Sequence, residues 1–341
     1  MDDSISRVLV KTMVRKAIKD IKETPARSTR NLVDLALNFS DGRFQKQFFQ
    51  TAQRMLADEN SAYYDLIRDV LSYADEEKLL TFGMNLGYNG CTAGAEKIRK
   101  IEAKEGFNIP WIISLKVASP AHTAREESCH RLIEQGEALG IHAWQLFTKG
   151  YASTCLDLAN GHPDSAFVLF CSGEDMDDAI IERVRLCDNL AIAVLFDGAA
   201  PAVCRKLREA GLLFGLYYPY TAQDLERIES GNLLRAMERF HGIFSILIPE
   251  SGCSAEVQGR VYDAVIRARM EQKYRTIVWE GYQDAMMVDR IISDDGCWLA
   301  FDEQGNQYAG YQNNGCDTPN LFRDDLKQIL QAAFPKGRME S

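Results

Sequence analysis

The sequence predicts an α/β protein: a partial (βα)6 TIM-like barrel follows an N-terminal helical cap and precedes a C-terminal strand, hairpin and helix. Two observations predict this architecture. Up to about residue 107 the apolar residues recur at helical spacing, and after Pro110 short apolar runs alternate with amphipathic segments. Such fully apolar runs are typical of strands buried on both faces of a parallel sheet. Successive β-α units with right-handed crossovers indicate an α/β barrel, full or partial.

The first part of the chain is predicted to be helical, because no stretch in it alternates apolar and polar residues with a period of two. Apolar stripes predict helices over residues 10–21, 31–38, 44–56, 64–71 and 96–104. Thr24-Pro25 ends the first of these helices, and Gly106 ends the last.

The barrel is predicted from six apolar runs with helices between them. The predicted strands cover residues 111–117, 142–148, 166–171, 190–196, 212–218 and 243–249. The predicted helices cover residues 124–139, 178–187, 201–210 and 255–273. Ser254 is a suitable N-cap for the last of them, because its hydroxyl can accept a hydrogen bond from the first turn.

The C-terminal segment has a different pattern of predicted elements. Residues 275–280 predict one further strand, residues 298–301 and 307–311 a hairpin, and residues 319–333 a closing helix. We therefore divide the chain into a helical cap (residues 1–107), the partial barrel (residues 108–274) and a C-terminal part (residues 275–341).

Composition narrows the class of protein. The net charge of −10 argues against a nucleic-acid partner, and no apolar run approaches the length of a transmembrane helix. The start MDDSISRVLV lacks the basic and apolar regions of a signal peptide. The nine cysteines are odd in number and include no Cys-x-x-Cys pair, so we expect free thiols in a reducing cytoplasm.

Chemistry in an α/β barrel belongs at the carboxyl ends of the strands. Eight polar residues are predicted to lie there and to form a pocket with both signs of charge and an aromatic wall: Lys116, His122, Thr148, Lys149, Asp197, Tyr218, Glu250 and Glu280. No catalytic role is assigned to any of them. The sequence contains no closely spaced pairs of metal ligands, so no metal site is predicted.

Several of these residues also have a structural interpretation. Lys116 and Lys149 can be solvated or ion-paired lysines, since a nucleophilic lysine must be desolvated. Asp197 can cap the next helix, and Tyr218 can be a packing residue. Glu250 and Glu280 could form an acid/base pair, but the sequence does not show how far apart they lie.

Several short segments resemble one family. Residues 80–87 and 96–105 and the stretch Phe107-Asn-Ile-Pro-Trp111 are similar to the segment leading into the barrel of certain radical S-adenosylmethionine (radical SAM) enzymes. That group includes the adenosylhopene-forming enzymes. Further similar segments cover residues 135–140, 147–148, 194–198 and 211–221. The resemblance spans roughly residues 10 to 330, and it implies a partial barrel of the radical SAM type.

The sequence departs from this family where the cofactors bind. Radical SAM enzymes carry Cys-x-x-x-Cys-x-x-Cys after the first strand, because three thiolates hold a [4Fe–4S] cluster. Here residues 118–129 read ASPAHTAREESC, with Cys129 alone. The Gly-Gly-Glu-Pro motif of the family is replaced by Lys149-Gly-Tyr-Ala152, the arginine-rich loop is missing, and Asp197-Gly198 remains. The resemblance with these departures implies that neither the cluster nor S-adenosylmethionine is bound.

Three hypotheses follow. The first is a non-catalytic radical-SAM-like protein (a pseudoenzyme) that binds or scaffolds a partner, such as an active radical SAM enzyme or its substrate. The second is a cluster-independent enzyme acting on a small polar or anionic molecule in the barrel mouth. For it, several pocket residues must converge, and side chains paired off locally would argue against it. The third is that the likeness to the family is accidental and the chain is an ordinary aldolase-type barrel, which eight strands and no helical cap would favour.

Overall fold

A computed structural model describes residues 3–38, 43–293, 295–308 and 319–336. The helices before the first strand are α1 (Asp3–Glu23), α2 (Pro25–Asn38), α3 (Arg43–Met55), α4 (Ala62–Tyr73), α5 (Glu76–Gly83), a π-helix (Met84–Gly94) and α6 (Ala95–Glu105). The strands are β1 (Ile112–Val117), β2 (Ala143–Thr148), β3 (Ala166–Cys171), β4 (Leu190–Leu195), β5 (Phe214–Tyr220), β6 (Phe244–Pro249), β7 (Ile277–Glu280), β8 (Leu299–Phe301) and β9 (Gln307–Tyr308). The later helices are α7 (Pro120–Ala124), α8 (Glu126–Leu139), α9 (Ala152–Gly161), α10 (Asp178–Val184), α11 (Ala200–Glu209), α12 (Leu225–Glu229), α13 (Asn232–Glu238), α14 (Ala255–Glu271), α15 (Gln283–Ser293) and α16 (Leu326–Ala333). None of these described helices is both long and apolar enough to cross a membrane.

The chain forms two compact units that alternate along the sequence. The β1 unit comprises Thr81–Leu190 and the described residues from Ala285 onward. The β5 unit comprises the described residues up to Leu80 and Ala191–Asp284. The predicted division of the chain into a cap, a partial barrel and a C-terminal part, with boundaries after residues 107 and 274, stays a prediction.

The β1 unit contains strands in the order β3-β2-β1-β8-β9. β1, β2, β3 and β8 are parallel, and β9 pairs antiparallel with β8. Ile113 and Leu115 of β1 and Trp144 of β2 are completely buried, as apolar strands covered on both faces require.

The β5 unit contains β4, β5, β6 and β7 in that order, all parallel. Helix α4 is tied to α11 by a bidentate ion pair between Asp69 and Arg208, with N···O distances of 2.7 and 2.9 Å. Phe214 and Tyr220 of β5 lie fully buried in its core.

The predicted strands are confirmed to within two residues at each end, and the predicted hairpin is confirmed as β8 and β9. Tyr311, the predicted end of its second strand, lies outside the described residues. Helix boundaries were predicted less accurately, and α1 begins at Asp3, seven residues before its predicted start. Helix α2 begins at Pro25, six residues early, because proline suits the first helical position. The closing helix begins only at Leu326, since Asp324 accepts a hydrogen bond from the Asn320 N–H and holds a turn before it.

A buried carboxylate, Asp289 of α15, organises the start of β1. Its oxygens accept hydrogen bonds from the backbone N–H of Trp111 (2.9 Å) and of Cys297 (3.1 Å). Asp289 is inaccessible to solvent, and this burial raises its pKa well above the usual range of a carboxyl. The segment before β1 and the segment before β8 are thus held by one side chain.

The π-helix packs against the end of α8 through two glycines. Helix α8 ends at Gly140, whose φ of 102° is readily adopted only by glycine. A Cβ atom on Gly94 would lie 2.3 Å from the Gly140 carbonyl oxygen and 2.4 Å from that of Asn89. The two backbones therefore approach more closely than any side chain at Gly94 would allow.

Candidate functional site

The carboxyl end of β1 is covered by the turn that follows β8. Strand β1 passes into α7 through Ser119, whose hydroxyl donates a hydrogen bond to the Glu303 carbonyl oxygen at 2.6 Å. The Lys116 ammonium forms an ion pair with the Glu303 carboxylate at 2.5 Å. Lys116 is therefore a paired lysine, in agreement with its structural interpretation.

His122 lies in α7 and is completely buried. Its ring contacts the ring of Phe322 edge to face, with centroids 5.4 Å apart. Neither ring nitrogen has a hydrogen-bond partner among the described residues. Burial lowers the pKa of His122, although the charges of Asp302 and Glu303 oppose this shift. The imidazole is therefore expected to be neutral at pH 7.

Thr148 and Lys149 follow from β2. The Thr148 hydroxyl donates to the Val117 carbonyl oxygen at 2.9 Å and accepts from the Tyr151 N–H at 3.2 Å. It thereby joins the ends of β1 and β2 and fixes the turn into α9. Lys149 is exposed.

In the β5 unit, two pocket residues are engaged by nearby groups. The Asp197 carboxylate accepts hydrogen bonds from the N–H groups of Ala199 and Ala200, so it caps the start of α11. The Tyr218 hydroxyl donates to Asp224 at 2.7 Å. Glu250 is exposed.

Glu280, at the carboxyl end of β7, is completely buried. Its carboxylate accepts hydrogen bonds from the Tyr220 hydroxyl (2.9 Å) and from the N–H groups of Tyr282 (3.0 Å) and Gln283 (2.5 Å). Burial raises the pKa of Glu280 to about 7, although the hydrogen bonds from Gln283 and Tyr220 oppose the rise. The negative charge of Asp284 acts in the same direction as burial.

We expect Glu280 to make stability depend on pH. An unfolded glutamate has a pKa of about 4.3, so between that pH and about 7 the native state holds a proton that the unfolded state releases. The contribution of Glu280 to the free energy of unfolding should therefore fall as the pH rises through this range. Glu280→Gln should flatten this decline in urea-unfolding measurements across the same range. Profiles of the two proteins that stay parallel would contradict the assignment.

The structure therefore gives most of the predicted pocket residues local partners. Sequence reasoning missed Glu303 and Phe322, which contact Lys116 and His122, and it did not predict the contact between Tyr220 and Glu280. Tyr220 could be placed near this end of the sheet, because it lies two residues after the predicted apolar run 212–218. Glu303 and Phe322 could not be placed, since nothing in their local sequence shows that β8 pairs with β1.

The residues at the end of β1 do not fit a [4Fe–4S] cluster, which needs three thiolates. Cys129 is completely buried in α8, and this burial raises the pKa of its thiol to about 12. Burial also raises the pKa of Cys155, which lies in α9. Within the described ranges no group of three or more His, Cys, Asp or Glu side chains is arranged to hold a metal ion.

Solved structures with a similar fold include three of SuiB from Streptococcus suis. SuiB bound to S-adenosylmethionine matches with a TM-score of 0.52 at 10% identity, over 69% of this chain and 66% of SuiB. SuiB bound to the precursor peptide SuiA matches with a TM-score of 0.50 at 9% identity, over 69% and 67%. SuiB in a third structure matches with a TM-score of 0.52 at 10% identity, over 88% and 78%. No protein-family model matches the sequence, and no curated protein matches it significantly.

SuiB is a radical SAM enzyme, so this likeness confirms the predicted fold class: an α/β chain with the parallel strands and surrounding helices of a radical SAM partial barrel. At such low identity the likeness concerns the fold alone. In the first of the three comparisons the chain spans just under two thirds of SuiB.

Proposed function

We propose that this chain is a radical-SAM-like pseudoenzyme of the cytoplasm, which binds a protein or peptide partner and performs no radical chemistry. The observation that carries this proposal is the end of β1. In place of a three-cysteine loop, Ser119 leads directly into α7, and Lys116 and Ser119 are engaged by Glu303. The next cysteine along the chain, Cys129, is a buried thiol of raised pKa. The likeness to the adenosylhopene-forming group is part of the same proposal.

The class of partner is inferred from the fold neighbour. SuiB has been crystallised with its precursor peptide SuiA. A chain that keeps this fold without the donor set for the cluster can still keep a surface for a peptide. We therefore assign it a polypeptide partner, either an active radical SAM enzyme or the polypeptide substrate of one.

The alternative of a cluster-independent enzyme has less support. An enzyme would need several pocket residues free to act on a substrate. Lys116 is ion-paired, Asp197 caps a helix, and Glu280 is held by backbone N–H groups. The helices that precede β1 and the likeness to SuiB favour the radical SAM type over an ordinary aldolase-type barrel.

Anaerobic reconstitution tests the loss of the cluster. After treatment with iron, sulfide and reductant and then desalting, we expect the protein to retain no stoichiometric iron and to show no thiolate-to-iron absorbance in the visible range. The reason is that no three thiolates converge on one position among the described residues. An intact radical SAM enzyme treated in parallel is the positive control. A stable stoichiometric cluster would overturn the proposal.

The partner is tested separately. If an intact radical SAM enzyme is encoded beside this chain, we expect the two proteins, when co-expressed, to elute together in size-exclusion chromatography. A peptide substrate of that enzyme, labelled with a fluorophore, is the second ligand to titrate. Independent elution together with no change in peptide anisotropy would contradict the partner role, whatever the outcome of the reconstitution.

A further inference from the structure

We propose that Lys116 and His122 form an anion-binding site, which the Glu303 carboxylate occupies from within the same chain. The ligand class is a small molecule or chain terminus that carries a carboxylate or phosphate group. This site goes beyond the proposed partner role and does not depend on it.

The first support is the arrangement of donors at the end of β1. Lys116, Ser119 and His122 follow one another at intervals of three residues as the chain leaves the strand and enters α7. The first two already bind one acidic residue: the ammonium binds the Glu303 carboxylate, and the Ser119 hydroxyl binds its carbonyl oxygen. The carboxylate of Glu303 thus stands where an external anion would lie.

The second support is independent and comes from His122. A neutral imidazole has one N–H donor and one acceptor nitrogen, and burying both without partners is unfavourable. Both nitrogens of His122 are buried and lack partners among the described residues. A ligand oxygen that reached this ring would satisfy its N–H group.

Phe322 also covers a cation, the guanidinium of Arg125. The Arg125 guanidinium lies over the Phe322 ring, 5.0 Å from its centroid, and the same ring contacts His122. Phe322 thus packs against both a guanidinium and an imidazole, and both would be less covered without its ring. The acidic groups that act on His122 are Asp302 and Glu303, both in the covering turn.

The turn and Phe322 are in direct contact. Asp302 accepts hydrogen bonds from the N–H groups of Gln304 and Asn306, so residues 302–306 form one compact turn. Phe322 packs against Gly305, where a Cβ atom would lie only 2.5 Å from the ring. The ion pair that holds the Glu303 carboxylate is weak, because both side chains are partly exposed: 48% for Lys116 and 30% for Glu303. A dissolved anion can therefore compete with Glu303.

The test uses inorganic phosphate and acetate as probes, with the imidazole signals of 13C-labelled histidine observed by NMR. In Glu303→Gln the internal carboxylate is gone, so we expect phosphate to shift the His122 signal at a concentration about fivefold lower than in the unaltered protein. Lys116→Met should abolish the shift in either background. A response to acetate as well as phosphate would indicate a carboxylate site, and a response to phosphate alone would narrow the ligand to phosphates.

The matched control is Glu105→Gln, which removes a similar ion pair between Glu105 and Lys327 (2.9 Å). No buried histidine lies near this pair in the sequence. This variant should bind phosphate no better than the unaltered protein. The site would be refuted if Glu105→Gln gained as much affinity for phosphate as Glu303→Gln does. It would also be refuted if the His122 signal of Glu303→Gln did not respond to phosphate. Unchanged dispersion of the remaining NMR signals verifies that each variant is folded.

Discussion

Replacing Asp289 with alanine is expected to lower the free energy of unfolding by about 4 kcal/mol, because two buried N–H groups would lose their acceptor. These are the backbone N–H groups of Trp111 and Cys297, which lie 178 and 8 residues from Asp289 in sequence. Both donors lie in buried residues, so water cannot readily replace the carboxylate. Urea unfolding followed by far-UV circular dichroism measures the loss.

Two further variants show whether the loss comes from these hydrogen bonds. Asp289→Asn keeps one carbonyl oxygen as an acceptor and should cost less than alanine. Asp295→Ala removes an exposed carboxylate that accepts a hydrogen bond from the Asn108 amide, and it should cost about 1 kcal/mol or less. If Asp289→Ala and Asp295→Ala had equal effects, the role given to Asp289 would be wrong.

Replacing Gly94 with alanine is expected to destabilise the protein by about 3 kcal/mol, as overpacking does when the neighbouring atoms cannot move aside. The added methyl group would meet backbone carbonyl oxygens of Gly140 and Asn89, at 2.3 and 2.4 Å. Gly140 cannot readily shift, because its positive φ ends helix α8. Equilibrium urea unfolding and thermal melting should report the same loss.

Gly83 provides the matched control for Gly94. It lies at the start of the π-helix with helical dihedral angles (φ −62°, ψ −40°), and a Cβ atom there would meet no atom within 4 Å. Gly83→Ala should therefore stabilise the protein by about 0.5–1 kcal/mol, because alanine loses less backbone entropy on folding. We therefore expect alanine to raise the free energy of unfolding at Gly83 and to lower it at Gly94. If alanine lowered it at both positions, the close contacts of Gly94 would not be the reason for its loss.

The strands could be predicted from sequence because each is a short apolar run with polar residues or turns at its ends. Residues 166–171 are an example, and the structure places β3 there without any shift. Strand β8 has only three residues, and its pairing with β1 joins positions far apart in the chain. A local pattern contains no information about such a partner.

The same limit of local sequence patterns decides which residues of the candidate site could be predicted. Lys116 and His122 could be placed at the end of β1 because their position follows directly from the strand. Glu303 and Phe322 could not be placed there, since they reach β1 only through the pairing of β8. The capping role of Asp197 could be foreseen, because aspartate before a glycine and a helix is a common cap. The burial of Glu280 could not, since its surroundings come from β5 and from the turn after β7.

The contact between Asp289 and Trp111 has a consequence for the order in which the chain can fold during synthesis. At translation rates of about 5 to 20 residues per second, the 178 residues between them take about 10 to 35 seconds to make. During that time β1 has emerged without the carboxylate that holds its start and without its neighbour β8. Because the β1 unit is completed only by residues beyond Ala285, its first segment must stay unaggregated while the rest of the chain is being made.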